Sequence, residues 1–449
     1  MSILNKKESL ILGLGDVLLF LFALWLTLIL RYGSLLDQQI FYAHLAPFSL
    51  LFIVWVVVFF IAGLYEKHTL LLRSRLPTVV FKAALANSFL AVIFFYFIPY
   101  FGIAPKVNLF LYLLLSSVLI LSWRMYGYRL LYAKKKQNAI SIGTGTELAE
   151  LALEVNQNER YNIRFIASVE INNLNPTDFR QNVLSRLEAN EVTLIAVDLQ
   201  NKKIEPILPY LYNLIFKNIQ FVDIHQLYEE IFDRIPLSLI TYDWFLEHVS
   251  ISPSVGYDAL KRLMDITLSA VLGLASLLLY PFIILFIKLD DGGPIFIFQE
   301  RVGTKGITIR TIKFRTMTRD DAGVVCDAVR NKPTRVGPFL RKSRLDELPQ
   351  FWNVLKGDLS LIGPRPELPS LVAIYERAVP YYSVRHLIKP GLSGWAQLYH
   401  DKHPHHQANV EETRIKLSYD LYYIKNRSFF LDLKIALKTL KTLLSRSGV

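Results

Sequence analysis

The sequence predicts a membrane protein in three parts: four transmembrane helices over residues 1–130, an α/β domain over 138–245, and a mixed α/β domain over 258–449. Three observations predict it. Four apolar runs of about 20 residues stand in the first third of the chain, each long enough to cross ~30 Å of hydrocarbon as a helix. Short β-branched runs then alternate with helical spacing of apolar residues. Last, the chain turns polar and rich in Arg and Gly after a fifth apolar run that contains a proline. Composition agrees, since 52% hydrophobic residues with 29 Phe and 23 Tyr is high for a chain soluble throughout. The formal charge of +12 points to an anionic partner: nucleic acid, acidic lipid headgroups or a phosphorylated substrate. The single cysteine, Cys326, excludes a disulfide framework and a thiolate zinc site within one chain, and fits a reducing compartment.

The four runs cover residues 10–30, 43–64, 79–100 and 107–125. The first is too long for the apolar core of a cleaved signal, and three more follow it. Lys6 and Lys7 precede the first run, Lys67, Arg73 and Arg75 lie between the second and third, and Arg129, Lys134, Lys135 and Lys136 follow the fourth. The other two loops carry chiefly Arg31 and Lys106. The positive-inside rule therefore sets both ends of the bundle on the cytoplasmic side. Lys82, near the end of a run, is read as the one charge inside a span, so no ion pathway is expected.

The fifth run, 263–287, has Lys261 and Arg262 before it, Lys288 after it and Pro281 within it. Two courses are open: a full crossing, or a helix broken near the proline that dips in and returns to the same side. Basic residues at both ends do not choose between them.

In the middle segment, residues 139–145, 192–199 and 218–224 read as strands, and 147–158 and 203–217 as helices. This alternation implies a parallel, doubly wound, Rossmann-like sheet. Gly143 and Gly145 close the first strand, but Leu148 stands where a dinucleotide fingerprint has its third glycine. A structural or regulatory role is therefore expected in preference to cofactor binding.

The last domain concentrates cations: Arg310, Lys313 and Arg315, then Arg335, Arg341, Lys342 and Arg344. Guanidinium forks match phosphate oxygens, so the density suits phosphate; a basic face for lipid headgroups is the plainer reading. Amid them "SRLDELPQFWNVLKGDLSLIGPRPE" (343–367) sets Asp346 and Glu347 side by side. Pro349 is tolerated only in a helix's first turn, and Gly357 suits a C-cap, so the acids sit at or just before a helix N-terminus, which favours their ionised forms. An alternative start takes Ser343 as N-cap, with Pro349 kinking the helix. Two ionised neighbours repel unless a cation intervenes, and Mg²⁺, a hard ion, suits such oxygens. A carboxylate can also attack phosphorus to give an acyl phosphate. The plainer reading is that both acids merely cap the helix.

The order "KFRTM", "SRLDELPQFWNVLKGDLSLIGPRPE", "KPGLSGWAQ", with "QERVG" and "DLYYIKN", resembles the bacterial polyprenyl-phosphate hexose-1-phosphate transferases, the monotopic phosphoglycosyl transferase superfamily. The resemblance covers about residues 261–445, and the four spans with a Rossmann-like segment resemble the family's large form. It implies transfer of a sugar 1-phosphate from a UDP-sugar to undecaprenyl phosphate with release of UMP, at the start of exopolysaccharide or O-antigen synthesis. It implies a Mg²⁺ cofactor, Asp346 as the nucleophile that carries the phosphosugar, and Glu347 as a further metal ligand. It makes 263–288 a re-entrant membrane helix broken at Pro281, where Tyr280 replaces the family's common Ser. Lys313, Arg315, Arg341, Arg344 and Arg365 are the expected phosphate-binding residues. The expected site of action is the cytoplasmic face of the bacterial inner membrane, with the bilayer as partner and no nucleic acid. Dimerisation is one role open to the central domain, and the transferred sugar is left undefined.

Four histidines, His400, His403, His405 and His406, read as a surface loop in preference to a metal site. Residues 429–446 read as a basic amphipathic helix, which either lies in the membrane interface or packs on the domain. The competing reading from another class is a membrane scaffold that binds nucleotide sugar or phospholipid without turning it over. A nucleotide-sugar dehydratase would need a full glycine fingerprint, which the central segment lacks.

Overall fold

The computed structural model describes residues 7–33, 38–65, 76–98, 106–127, 136–158, 161–171, 187, 191–249, 255–318, 332–399 and 409–445. Cys326, the four histidines and most of the loop cations used for orientation lie outside them. The chain divides into two compact units, and the division falls within the central α/β segment.

In the first unit, α1 (Lys7–Tyr32), α2 (Gln38–Ala62), α3 (Leu76–Phe97) and α4 (Lys106–Ser122) follow the four apolar runs. Each has a stretch long and apolar enough to cross a membrane. Their shared core is aromatic: Phe20, Phe48, Phe52, Trp55 and Tyr112 are buried together, with Trp55 and Tyr112 stacked at 5.3 Å. Large exposed residues such as Phe81 and Phe89 cover α3, as a lipid-facing surface requires. Lys82 is not the only charge inside the spans, because Asp16 of α1 and Arg124, in the π-helical turn Trp123–Gly127 that extends α4, are both buried and ion-paired. Tyr65 donates to the same Asp16 oxygen at 2.8 Å, and Arg124 donates to the Leu64 carbonyl at 2.7 Å. Each is a single charge among apolar neighbours, so the mean hydropathy of its span stays high, and the other charge is what allows its burial.

The central segment holds β1 (Gln137–Gly143), α5 (Thr146–Gln157), β2 (Ile163–Glu170), β3 (Val192–Val197), α6 (Leu208–Ile215), β4 (Gln220–Asp223) and α7 (Ile224–Phe232). The sheet runs β2-β1-β3-β4, and β3 pairs β4 in parallel. The strand β2 was absent from the sequence reading. The single helix expected over 203–217 is two pieces, a 3₁₀ turn Lys202–Ile207 and then α6. Pro209 explains the division, since its ring clashes with the carbonyl four residues back and it has no N–H to offer. After β1 the chain turns at Gly145 with φ +105°, and a Cβ there would lie 3.1 Å from Ser238 Oγ. The Ser238 N–H donates to Glu147 Oε1 at 3.0 Å. Ser238 thus packs against the turn that follows β1.

The last domain follows α8 (Tyr242–His248) and begins with α9 (Val255–Leu277) and α10 (Tyr280–Asp291), bent by 55° from one another. The break falls at Leu278–Leu279, just upstream of Pro281, whose ring excludes a helical carbonyl at Leu277. Next come the antiparallel hairpin β5 (Phe296–Val302) and β6 (Thr308–Phe314), then α11 (Gly337–Lys342) and α12 (Gln350–Lys356). A parallel pair, β7 (Ser360–Ile362) with β8 (Gly391–Ser393), flanks α13 (Pro369–Ala378). The chain closes on α14 (Trp395–Tyr399), α15 (Val410–Lys425) and α16 (Phe429–Ser445). One face of α16 buries Ile435 and the other exposes Phe430, Leu433 and Leu440. Its lysines are not simply solvated: Lys434 lies over the Trp395 ring at 4.8 Å and Lys438 over Tyr399 at 4.3 Å.

Candidate active site

Asp346 and Glu347 stand in a 3₁₀ turn, Leu345–Glu347, directly before α12. Pro349 caps that helix, and it ends at Gly357 with φ +99°. The alternative start at Ser343 is not adopted: Ser343 ends α11 and donates back to the Phe339 carbonyl at 2.7 Å. Arg344 takes φ +57° to link α11 to the acidic turn, a left-handed conformation that is uncommon outside glycine and concentrates at functional sites.

Four tethers place this turn. Asn353 accepts from the Ile312 N–H at 3.1 Å and donates to the Arg310 carbonyl at 2.8 Å, tying α12 to β6. Arg262 of α9 donates to the carbonyls of Val354 and Leu355, both at 2.8 Å, so the apolar helix caps the end of α12. Asp265, one turn on, accepts from Leu361 N–H at 3.0 Å and fixes β7. Behind the turn, Leu345 and Leu348 pack on a core of Ile283, Ile287, Phe314 and Leu340.

The expected phosphate-binding residues divide. Three converge on Glu347: Arg365 Nη2 at 2.7 Å, Lys313 Nζ at 3.1 Å and Arg344 Nη1 at 3.6 Å. Arg341 faces Asp346 electrostatically and donates from Nε to Thr316 Oγ1 at 2.9 Å. Arg315 goes elsewhere. Its guanidinium is buried, ion-paired with Asp291 and bonded to the Pro294 carbonyl at 2.8 Å, bracing the turn between α10 and β5.

The sequence reading expected both acids to be ionised alike; the structure separates them. Burial and the neighbouring Glu347 charge push the Asp346 carboxyl up to about 6, against the pull of Lys313, Arg341 and Arg365. Burial also acts to raise Glu347, but Arg365, Lys313 and Arg344 outweigh it and hold that carboxyl well below its usual range. Lys313 is shifted down by burial, opposed by Glu347. Asp346 is 7% exposed, and among the described residues no side chain donates a hydrogen bond to its carboxylate. A carboxylate with free lone pairs, set beside an ionised partner in a cationic wall, can attack an electrophilic phosphorus or take up a hard cation.

Arg365 comes from the loop after β7, and three glycines bring that loop in. Side chains on Gly391 or Gly394 would overlap the Gly363 backbone, and one on Gly363 would clash with the Lys389 carbonyl. Bonds from Gly363 N–H to Ser393 O and from Gly391 N–H to Pro364 O, each 2.9 Å, join the "IGPRPE" and "KPGLSG" segments. Sequence reasoning missed this backbone contact, although clustered glycines in two strand-like runs signal it. It also missed Asn353 and Asp265, and it read Arg262 only as a flanking charge.

Comparison with other proteins bears on the same segment. Residues 256–446 match the family described as bacterial sugar transferase. The UDP-N-acetylgalactosamine-undecaprenyl-phosphate N-acetylgalactosaminephosphotransferase of Aeromonas hydrophila is 43% identical over 205 residues, covering 44% of this chain and 47% of that protein. The uncharacterised sugar transferase EpsL of Bacillus subtilis is 40% identical over 193 residues, 42% of this chain and 90% of that protein. The exopolysaccharide production protein PSS of Rhizobium leguminosarum bv. phaseoli is 40% identical over 196 residues, 42% of this chain and 96% of that protein. The match thus spans about half the length of the first relative and nearly all of the other two. The matched segment contains the acidic turn, its cations and both glycine motifs, and the chain belongs to the bacterial sugar transferase family.

Proposed function

We propose that this protein transfers a sugar 1-phosphate from a UDP-sugar to undecaprenyl phosphate, through a phosphosugar on Asp346. The observation that carries this reading is the unequal pair: a free, buried Asp346 beside a Glu347 held by three cations. At neutral pH the Asp346 carboxylate is mostly ionised, yet poorly solvated and, among the described residues, without a hydrogen-bond donor, which favours attack. Its oxygen bonds to the β-phosphorus of the UDP-sugar, the bond from that phosphorus to the bridging oxygen breaks, and UMP leaves with the electron pair. A phosphate oxygen of undecaprenyl phosphate then attacks the same phosphorus. This forms the diphosphate-linked sugar lipid and returns Asp346 as carboxylate. Lys313, Arg341, Arg344 and Arg365 are the cations near enough to offset charge on the transferred phosphoryl group.

The donor set fits Mg²⁺, because Asp346 and Glu347 are adjacent carboxylates and one has oxygens that no described side chain engages. When bound there, the ion would neutralise diphosphate charge. The names of the relatives, which include transferases of N-acetylgalactosamine phosphate and glucose 1-phosphate to undecaprenyl phosphate, support the substrate classes. The 55° bend between α9 and α10 supports a re-entrant course, which would keep the acidic turn at headgroup level on the cytoplasmic face. The strand order with parallel β3 and β4 supports a Rossmann-like reading of the central segment.

The test is a UMP-release assay over a panel of UDP-sugars, with undecaprenyl phosphate and Mg²⁺. UMP formation by the wild type, lost in Asp346→Asn, is expected. Release of UDP would mean direct glycosyl transfer and a different mechanism, and binding with no release would mean a scaffold.

A further inference from the structure

The loop that carries Arg365 is held from behind by a buried charge cluster that takes no direct part in the chemistry proposed above. Arg385 stands in a 3₁₀ turn, Tyr382–Leu387, and is 3% exposed. Its Nη2 donates to the Arg365 carbonyl at 3.0 Å and its Nη1 to the Tyr382 hydroxyl at 2.7 Å. The same guanidinium pairs with Asp420 at 2.8 Å and lies 3.7 Å from Glu367, which is itself ion-paired with Lys416. Two further bonds tie the loop: Val302 N–H to the Glu367 carbonyl at 2.9 Å and Arg301 Nη1 to the Pro366 carbonyl at 3.2 Å. Each carbonyl from Arg365 to Glu367 therefore meets a donor from another element.

A buried cluster of this kind contributes little net stability, and an apolar core of equal volume would serve as well. What it does supply is position. Arg365 lies between Pro364 and Pro366, so its backbone has few conformations, and the Arg385 fork fixes the carbonyl of that same residue. The side chain that leaves this fixed point ends 2.7 Å from Glu347.

We propose that Arg385 is a positioning residue for the transfer reaction, anchoring the Arg365 backbone so that its guanidinium holds Glu347 beside Asp346. The proposal rests on the reading that Asp346 is the nucleophile. A shift of the Arg365 guanidinium removes positive charge that faces Asp346. The other charges facing it are Glu347 on its own turn, Lys313 from β6 and Arg341 from α11.

The experiment uses the full chain in lipid nanodiscs and measures UMP release. Arg385→Lys keeps the charge but loses the fork that serves a carbonyl and a carboxylate together. The expected result is a fall in kcat of about 10- to 100-fold from misplacement, with KM for the UDP-sugar changed by less than about 3-fold. In an Arg365→Ala background, Arg385→Lys lowers kcat by less than about 2-fold further, because the two act as one unit. Independent, multiplying losses would overturn the proposal. Should Arg385→Lys not fold, Asp420→Asn decides by the same cycle, since burial already favours a neutral group at that position. Absence of UMP release by the wild type would overturn the underlying reading and this proposal with it. Wild-type release with independent losses would overturn this proposal alone.

Discussion

Arg365 Nη2 lies 2.7 Å from Glu347 Oε1, joining the loop after β7 to the acidic turn before α12. With Lys313 and Arg344 it commits Glu347 to the ionised state and leaves Asp346 to carry the strain of two adjacent carboxylates. On the proposed role of Asp346, the activity of the pair and its stability therefore pull in opposite directions.

Asp346→Asn should raise the thermal midpoint at pH 7.5 while abolishing UMP release. The folded-state value of Asp346 is about 6 against an ordinary 3.8, so the folded form holds its proton more tightly. That contribution is fully present below about pH 4 and is lost as pH rises through 6. Above pH 6 the ionised carboxylate is a burden that Asn removes. The difference in midpoint between variant and wild type should shrink toward zero below about pH 4. Thermal unfolding across a pH series checks it.

The rate of UMP release should fall on the acid side with an apparent pKa near 6, where Asp346 takes up a proton. Glu347→Gln removes the like charge that helps raise Asp346, so its residual activity should show an acid limb at lower pH. A limb unmoved by that substitution would mean that another group sets it. Pre-steady-state UMP bursts between pH 4.5 and 8 give the profile.

Gly391→Ala should destabilise the last domain by about 1–3 kcal/mol or more, as overpacking does, and reduce activity beyond that loss. A methyl there overlaps the Gly363 backbone and displaces the loop that aims Arg365. A conservative change at exposed Phe430 should leave activity in detergent unchanged. Melting curves and kcat measured on the same preparations separate the two effects.

Asp16→Asn should lower the stability of the four-helix unit by about 3–5 kcal/mol, because it leaves Arg124 buried and unpaired. Replacing both residues with Leu and Met should restore most of it, since the pair's desolvation penalty is removed along with its attraction. Unfolding monitored by tryptophan fluorescence compares the three proteins.

The features legible in the sequence are those set by neighbours along the chain. The apolar spans, the break before Pro281 and the helix from Pro349 to Gly357 follow from hydropathy, a missing N–H and a left-handed cap, all local causes. The resemblance likewise singled out Asp346 and Glu347 from one continuous motif. Hidden features depend on partners far apart in the chain. Asp16 and Arg124 are each a single charge among apolar neighbours, and only the fold pairs them. Arg315 and Arg365 look alike as sequence, yet one braces a turn through Asp291 and the other reaches Glu347. Arg385 drew no attention because its partners, Glu367, Asp420 and the Arg365 carbonyl, meet it only in the folded domain.

The most direct test is to incubate purified protein with a UDP-sugar labelled at the β-phosphate, without lipid acceptor, and locate the label after rapid acid quench. Label on the peptide containing Asp346, one equivalent of UMP released, and discharge of the label on adding undecaprenyl phosphate are expected. Full turnover with no label on the protein, or label on the peptide in Asp346→Asn, would contradict a phosphosugar on Asp346.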